Sequence, residues 1–311
     1  MNFALTGAAG YIAPRHMKAI RDTGHRLVAA CDPHDSVGIL DSYFPDTAFF
    51  TEYERFDRHL EKLRRAPEDR RVHVVSICAP NHLHDAHIRQ ALRIGADALC
   101  EKPLVINPWN LDALEELERE SSARIHTILQ LRLHPVLRAL RERMQGGNAH
   151  RPSVTLRYIT PRGPWYRYSW KGSAERSGGM LTNIGIHLFD LLLWLFGSMR
   201  SAAMHLHEPD HAAGLLDLAH ADVRWELSIR PQDLPADARA ENRGTLRLLC
   251  IDDEDVDFTT GMTDLHTEVY RATLAGEGFR IADARASIEL VHALRSAPVA
   301  SPATPWWHSH E

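Results

Sequence analysis

The sequence predicts an α/β chain in two parts. An N-terminal Rossmann-like, doubly wound parallel sheet is followed by an α+β domain with a mainly antiparallel open sheet. Three observations carry this. Short apolar runs alternate with amphipathic helical patterns up to about residue 125. The first run ends in a glycine turn, Gly7-Ala8-Ala9-Gly10. Beyond about residue 150, several strand candidates follow a single apolar helix. A chain of 311 residues suits about two domains.

The runs 3–6, 27–31, 48–51, 72–78 and 96–100 are continuously apolar, the pattern of strands covered on both faces. Helical patterns at 13–23, 53–65, 83–94 and 108–121 separate them, the last with an Asn107-Pro108 start signal. Residues 125–129 read as a sixth strand leading to the second domain. There, 154–160 reads as a strand, 161–179 as a loop rich in Gly, Pro, Arg and aromatics, and 183–196 as an apolar helix. Strands are predicted at 202–206, 221–229, 245–250 and 256–259, and helices near 263–275 and 281–296. The expected division is 1–125 for a cofactor domain, 126–297 for substrate binding and oligomerisation, and 298–311 as a loose tail on which Trp306 and Trp307 can dock.

Composition narrows the function. The net charge of −5 lacks the basic footprint that phosphate neutralisation needs, so no nucleic-acid partner is expected. No uncharged apolar run reaches the roughly 18 residues of a membrane span, and the start of the chain lacks a secretory pattern. Cys31, Cys78, Cys100 and Cys250 lie in apolar runs without a CxxC pair and read as reduced thiols. A cytoplasmic enzyme is the expectation. Only four of 36 basic residues are lysines, namely Lys18, Lys62, Lys102 and Lys171. Lys18 and Lys62 stand in charged helical stretches and read as surface residues, whereas Lys102 and Lys171 are candidates for places where a releasable proton matters.

The turn Gly7-Ala8-Ala9-Gly10-Tyr11-Ile12-Ala13 is a GxxGxxA relative of the dinucleotide fingerprint. Glycines permit the tight turn, the helix N-terminus offers N–H groups to a pyrophosphate, and Ala13 allows close helix–strand packing. Asp32 ends the second strand, near the spacing of roughly 20 residues expected for the ribose-binding acid. Its carboxylate would repel a 2′-phosphate, which favours NAD. Asp32 also suits the start of a turn before Pro33.

Glu101, Lys102 and Pro103 follow the fifth strand, where open α/β sheets bind ligands. A nicotinamide cation beside Lys102 would lower its pKa and make it a proton carrier, although a strand-end salt bridge also suits it. On a regular helix Asn183, His187 and Asp190 would share one face. Taken alone, His187 also suits a satisfied core histidine. No metal is expected, because there is no HExxH and no Cys/His cluster.

Taken in order, the Gly7–Ala13 turn, Pro80-Asn81-x-x-His84, Glu101-Lys102-Pro103 and the Gly178-Gly179…His187-x-x-Asp190 helix resemble the Gfo/Idh/MocA oxidoreductase family across almost the whole chain. The resemblance implies that Lys102 and His187 flank the carbinol that loses hydride. It also implies that Glu101 bonds the nicotinamide ribose and that Pro80, Asn81 and His84 line the cofactor. The family helix commonly carries Asp four residues before His; here that residue is Asn183.

Other segments resemble the WlbA/WbpB-type subgroup: Pro14-Arg15-His16, Leu129-Gln130-Leu131-Arg132-Leu133-His134-Pro135, Gly163-Pro164-Trp165-Tyr166, Trp170-Lys171-Gly172 and Thr263-Asp264-Leu265-His266-Thr267. That subgroup oxidises C3 of UDP-N-acetyl-2-amino-2-deoxy-D-glucuronate with NAD, for surface polysaccharide such as O-antigen. Some members recycle NADH with 2-oxoglutarate. Arg132, Arg162, Arg167, Lys171, Trp165 and Tyr166 offer the cations and stacking faces that a UDP-uronate needs. The resemblance adds Gln130 and Asn183 as substrate contacts, and a homo-oligomer, a tetramer, built through the open face of the second sheet. Two alternatives stay open: a dehydrogenase of a free sugar or inositol, and a non-enzymatic NAD-binding sensor.

Overall fold

The computed structural model describes residues 1–145, 150–240, 244–258, 264–300 and 307. Its elements run β1 (Asn2–Thr6), α1 (Ala13–Asp22), β2 (Arg26–Cys31), β3 (Ala48–Phe50), α2 (Tyr53–Arg64), β4 (Val74–Ile77), α3 (His84–Arg93), β5 (Asp97–Cys100), α4 (Pro108–Glu120), β6 (Ile125–Thr127), α5 (Pro135–Gln145), β7 (Ser153–Ile159), α6 (Trp165–Tyr168), α7 (Ala174–Ser177), α8 (Ile186–Phe196), β8 (Met199–His207), β9 (His211–Leu218), β10 (Ala221–Ser228), α9 (Ala236–Ala240), β11 (Leu246–Ile251), β12 (Glu254–Asp255), α10 (Leu265–Leu274) and α11 (Ile281–Ser296).

The first compact unit comprises Met1–Leu133 and Thr263–Arg285. Its sheet has the order β3-β2-β1-β4-β5-β6, and every pairing is parallel. All five residues of β1 are buried, as a strand covered on both faces requires. The order reverses between β1 and β4, so a ligand crevice opens at the carboxyl ends of those two strands.

The division of the chain is not the sequential one expected. β6 pairs with β5 in the first sheet, and α10 returns to the first unit. The physical reason is the apolar face of α10. Val269 and Tyr270 join Phe3, Met17, Ile20 and Leu27 in one core, with the Tyr270 ring stacked on Phe3 at 5.8 Å. Arg132 and Arg280 fix the same return. Arg132 donates to Asp283 at 3.1 Å, and Arg280 donates to Glu118 at 2.6 Å.

Several histidines of this unit are buried. Burial lowers the pKa of His16, His84 and His126 below the ordinary 6.5, and pushes that of His87 down to about 3. His87 stacks on Tyr53 at 4.5 Å and shares a hydrogen bond with the Thr6 hydroxyl. The unfolded chain therefore binds more protons below pH 6.5 than the folded one, so stability rises with pH in that range. The melting temperature is expected to fall steadily as the pH drops from 7.5 to 5. A flat or rising profile would contradict this burial.

The second unit comprises His134–Met262 and Ala286–Glu311. Its sheet has the order β12-β11-β7-β10-β9-β8. Only β7 and β10 pair in parallel, and the rest is antiparallel. α8 lies on this sheet, with the Phe189 ring edge-on to Trp225 at 5.1 Å. Gly185 permits the contact, since a Cβ there would meet Leu227 at 2.7 Å and the Phe189 ring at 2.8 Å. Among the described residues, the stretch Ala174–Phe196 is long and apolar enough to cross a membrane. However, 67 % of its most apolar window is buried inside the protein, as in a core helix.

Two elements of this unit depart from expectation through omission. No element is predicted over 135–145, where α5 forms with Leu137 and Leu140 buried. β9 carries Ala and Gly where a strand would ordinarily show bulk. Gly214 lies so close to Ala203 and the Trp225 ring that a Cβ would stand 2.3 Å from the Ala203 carbonyl. The strand expected at 256–259 ends earlier, as the two-residue β12. Thr259, Thr263 and Trp306 lie outside the described residues. Trp307 is buried near the His205 ring, and Val299 bridges Met204 of β8. All four cysteines are free thiols; Cys250 is only half-buried.

Candidate functional site

In the first unit, the site begins at the turn after β1. Gly7 has φ +80°, its N–H donates to the Cys31 carbonyl at 2.8 Å, and a Cβ would stand 2.5 Å from Cys78 backbone atoms. Only glycine fits such a position. The Gly10 N–H donates to the Gly7 carbonyl, and α1 starts at Ala13, which is fully buried. Ile12 is half-buried and Tyr11 is 81 % exposed, so the turn faces outward between them. The result is a helix N-terminus reached over two close-packed glycines, which fits a pyrophosphate.

Asp32 is buried at the end of β2. One carboxylate oxygen accepts the Ala9 N–H at 3.0 Å and the other accepts the His34 N–H at 2.9 Å. It holds the glycine turn and starts the next turn, as its place before Pro33 predicts. The second lone pair of each oxygen stays available for ribose hydroxyls.

Pro80 precedes a single 3₁₀ turn, Asn81–Leu83, and Asn81 is buried. His84 is buried to 1 %, and its two ring nitrogens lie 2.7 Å from the Pro103 carbonyl and 2.8 Å from the Ala79 carbonyl. Its two ring nitrogens thus face carbonyls of the segments that follow β4 and β5.

Glu101 follows β5 and is buried. Its Oε1 accepts from His16 Nε2 and from His266 Nε2, both at 3.0 Å, and its Oε2 accepts the Lys102 backbone N–H at 3.1 Å. Burial pushes its pKa up, but the two imidazole hydrogen bonds outweigh this and hold it well below the carboxylate range. His16 Nδ1 lies 2.8 Å from the Tyr270 hydroxyl, which is 2.6 Å from Ser76 Oγ. Lys102 is half-buried and joined to Pro103 by a cis peptide bond. His16 and His266 were missed as site residues, although both stand in quoted motifs. Nothing local in the sequence says that they converge on one carboxylate. The three groups also have the composition of a divalent-cation site.

Gln130 is buried in a 3₁₀ turn, and its Oε1 has no hydrogen-bond partner among the described residues. An orphaned acceptor of this kind fits a ligand hydroxyl or amide. Arg132, expected beside it as a substrate contact, spends its guanidinium on Asp283 and lies over the Phe279 ring at 5.6 Å.

In the second unit, the predicted loop 161–179 contains α6, a 3₁₀ turn at Trp170–Gly172 and α7. Lys171 Nζ lies 5.5 Å from the Trp165 ring and 5.6 Å from the Trp170 ring. Burial, aided by the Arg162 charge, lowers its pKa. Arg162 and Trp165 are exposed, and Arg167 pairs with Asp210 at 3.0 Å. Tyr166 is buried, and its hydroxyl accepts from Asn183 Nδ2 at 3.2 Å. A Cβ on Gly172 would stand 2.5 Å from the Tyr166 carbonyl, which explains a glycine beside Lys171.

The helix after this loop is not uniform. Leu181–Gly185 forms a π turn, and α8 proper starts at Ile186. His187 and Asp190 keep α spacing, whereas Asn183 lies in the π turn, so the expected regular Asn183–His187 spacing is corrected. Such turns occur often at functional sites. Between residues 180 and 192 every residue is buried except Asn183 and His187. His187 is therefore half-open to solvent, unlike an ordinary core histidine.

Comparison with known proteins agrees with both halves. Residues 1–128 match the oxidoreductase family with an NAD-binding Rossmann fold, and residues 152–229 match the C-terminal alpha/beta domain of the same family. The chain belongs to the Gfo/Idh/MocA oxidoreductase family. Its first 128 residues are thus of the NAD-binding Rossmann type. Among solved structures, the WlbA (WbpB) dehydrogenase from Thermus thermophilus in complex with NAD and alpha-ketoglutarate is 50 % identical, with 97 % of each chain covered and a TM-score of 0.94. The same enzyme with NAD and UDP-GlcNAcA gives a TM-score of 0.93 at the same identity and coverage. Among curated relatives, the inositol 2-dehydrogenase of Rhizobium meliloti is 26 % identical over 63 % of this chain and 55 % of its own length. The matches span 40 % of two further curated oxidoreductases.

Proposed function

We propose that this chain is an NAD-dependent dehydrogenase that oxidises the C3 hydroxyl of UDP-N-acetyl-2-amino-2-deoxy-D-glucuronate to the 3-keto sugar. The observation that carries the reading is 50 % identity over 97 % of the chain to an enzyme solved with NAD and UDP-GlcNAcA. The half-open Asn183 and His187 in an otherwise buried stretch, and Lys171 between two indoles, support it.

Gly7, Gly10, Tyr11, Ile12 and Ala13 receive the pyrophosphate of NAD, Asp32 its adenosine ribose, and Pro80, Asn81 and Glu101 its nicotinamide side. NAD supplies the hydride acceptor when bound. His187 takes the proton of the C3 hydroxyl, and the Lys102 ammonium holds the developing alkoxide. The two act as a coupled pair, so their proton can reside on either group. Gln130, Asn183, Tyr166, Lys171, Arg162 and Trp165 bind the sugar nucleotide through hydrogen bonds, charge and stacking.

We place the enzyme in the cytoplasm, in the making of surface-polysaccharide sugars such as those of O-antigen, as a homo-oligomer, a tetramer. We also infer that 2-oxoglutarate reoxidises the bound cofactor, in line with the alpha-ketoglutarate complex of the similar enzyme. The test is absorbance at the reduced-nicotinamide band, with NAD and the UDP-sugar, with and without the keto acid. Turnover that needs 2-oxoglutarate is expected. Turnover of free inositol or glucose, with no binding of UDP alone, would favour the dehydrogenase of a free sugar. Bound NAD that no sugar reduces would favour a sensor.

A further inference from the structure

The mechanism above uses Lys102 and Glu101 but leaves two buried histidines without a task. Both meet the same oxygen. His16 comes from α1, beside the pyrophosphate turn, and His266 from α10, which rejoins the unit about 250 residues later. A carboxylate oxygen only accepts, so each imidazole presents an N–H at Nε2. His16 Nδ1 is then an acceptor for the Tyr270 hydroxyl, whose oxygen accepts from Ser76. Every proton along Ser76, Tyr270, His16 and Glu101 is thereby assigned.

We propose that His16 and His266 are positioning residues that clamp the Glu101 carboxylate, so that the end of β5 presents Glu101 and Lys102 to the nicotinamide side in one geometry. A buried carboxylate needs donors to stay ionised. Glu101 has three, the two imidazoles and the Lys102 N–H, and the last of these ties the clamp to the backbone from which Lys102 projects. The proposal rests on the assignment of Glu101 and Lys102 to the cofactor side. It makes a cation at this place the competing arrangement, because Nε2 carries either a proton or a metal.

The neighbouring groups make the clamp readable by pH. Cys78, Cys100 and Tyr270 have pKa values raised well above their ordinary ones, chiefly by burial. Burial lowers those of His84 and His16. Between pH 6.5 and 8 a weakened clamp therefore shows itself through Glu101.

The experiment is calorimetric titration of the full-length protein with NAD, without sugar, across pH 6.5 to 8. Wild-type affinity is expected to be flat. His266→Phe, which removes one donor, is expected to bind NAD about tenfold or more weakly at pH 6.5 and to recover as the pH rises. His266→Gln, whose amide still donates, is expected to stay within about threefold of wild type. Glu101→Gln removes the titrating group and is expected to bind weakly at every pH, which keeps the test open if His266→Phe does not fold. Wild-type affinity in both His266→Phe and Glu101→Gln would overturn the proposal. So would one equivalent of zinc per chain whose removal by a chelator abolishes NAD binding. Since sugar is absent, failure here leaves the substrate assay to judge the proposed reaction separately.

Discussion

Replacing Lys102 by Met is expected to lower kcat for the UDP-sugar by about 10³-fold while the protein still folds. Methionine keeps the length of the side chain and loses only the ammonium, so the alkoxide loses its cationic partner. Lys102→Arg is expected to fail almost as badly, since a guanidinium is a wider group that does not release its proton. His187→Asn removes the base and is expected to cost a similar factor. If the proposed pair acts as a unit, the double variant is expected to be little worse than either single one. Initial rates, with thermal melts as the control for folding, measure all four. Full activity in Lys102→Met or His187→Asn would reject the assignment of that residue.

Gly7→Ala is expected to be severely damaging. Two costs coincide there. The backbone has φ +80°, and the added carbon would lie 2.5 Å from both Cys78 C and O and 2.7 Å from the Ala79 nitrogen. Those are main-chain atoms flanking β4 and cannot rotate away. We expect a loss of about 2–4 kcal/mol in folding stability and NAD binding too weak to titrate. Gly24 is the matched control. Its φ is +77°, but open space surrounds its Cβ position, so Gly24→Ala is expected to cost about 1–2 kcal/mol and to leave NAD binding intact. Denaturant melts and calorimetry separate the two cases. Equal effects at both glycines would show that backbone strain, and not the contact with Cys78, matters at Gly7.

Much of this was legible in the sequence for a simple reason. The cofactor turn, the strand ends and the apolar runs are local signals, and a parallel sheet buried on both faces writes them strongly. Asp32, Asn81 and Glu101 stand at the strand ends to which the pattern assigned them. What stayed hidden depends on contacts between distant segments. The apolar stripe of α10 does not say which sheet it will cover, so its return to the first unit could not be read. His84 and Arg132 look like ligand residues in a string of letters, yet one ties two backbone carbonyls and the other an aspartate. The π turn at Leu181–Gly185 has no sequence code of its own, so the face shared by Asn183 and His187 was drawn with the wrong pitch. β9 escaped because its packing partner, Trp225, supplies the bulk that the strand lacks.

The discontinuity of the first unit has a consequence for how the protein is made. Domains commonly fold as units while the chain is still being synthesised, N-terminal ones first. Here the nucleotide half cannot close that way. Tyr270, which fills its core, and His266, which binds Glu101, are translated after the whole of the second unit's sheet. An emerging chain therefore carries an unfinished cofactor half through most of its synthesis, until α10 has been made. A fragment stopping at residue 133 carries all six strands of the first sheet but lacks α10, which completes its core.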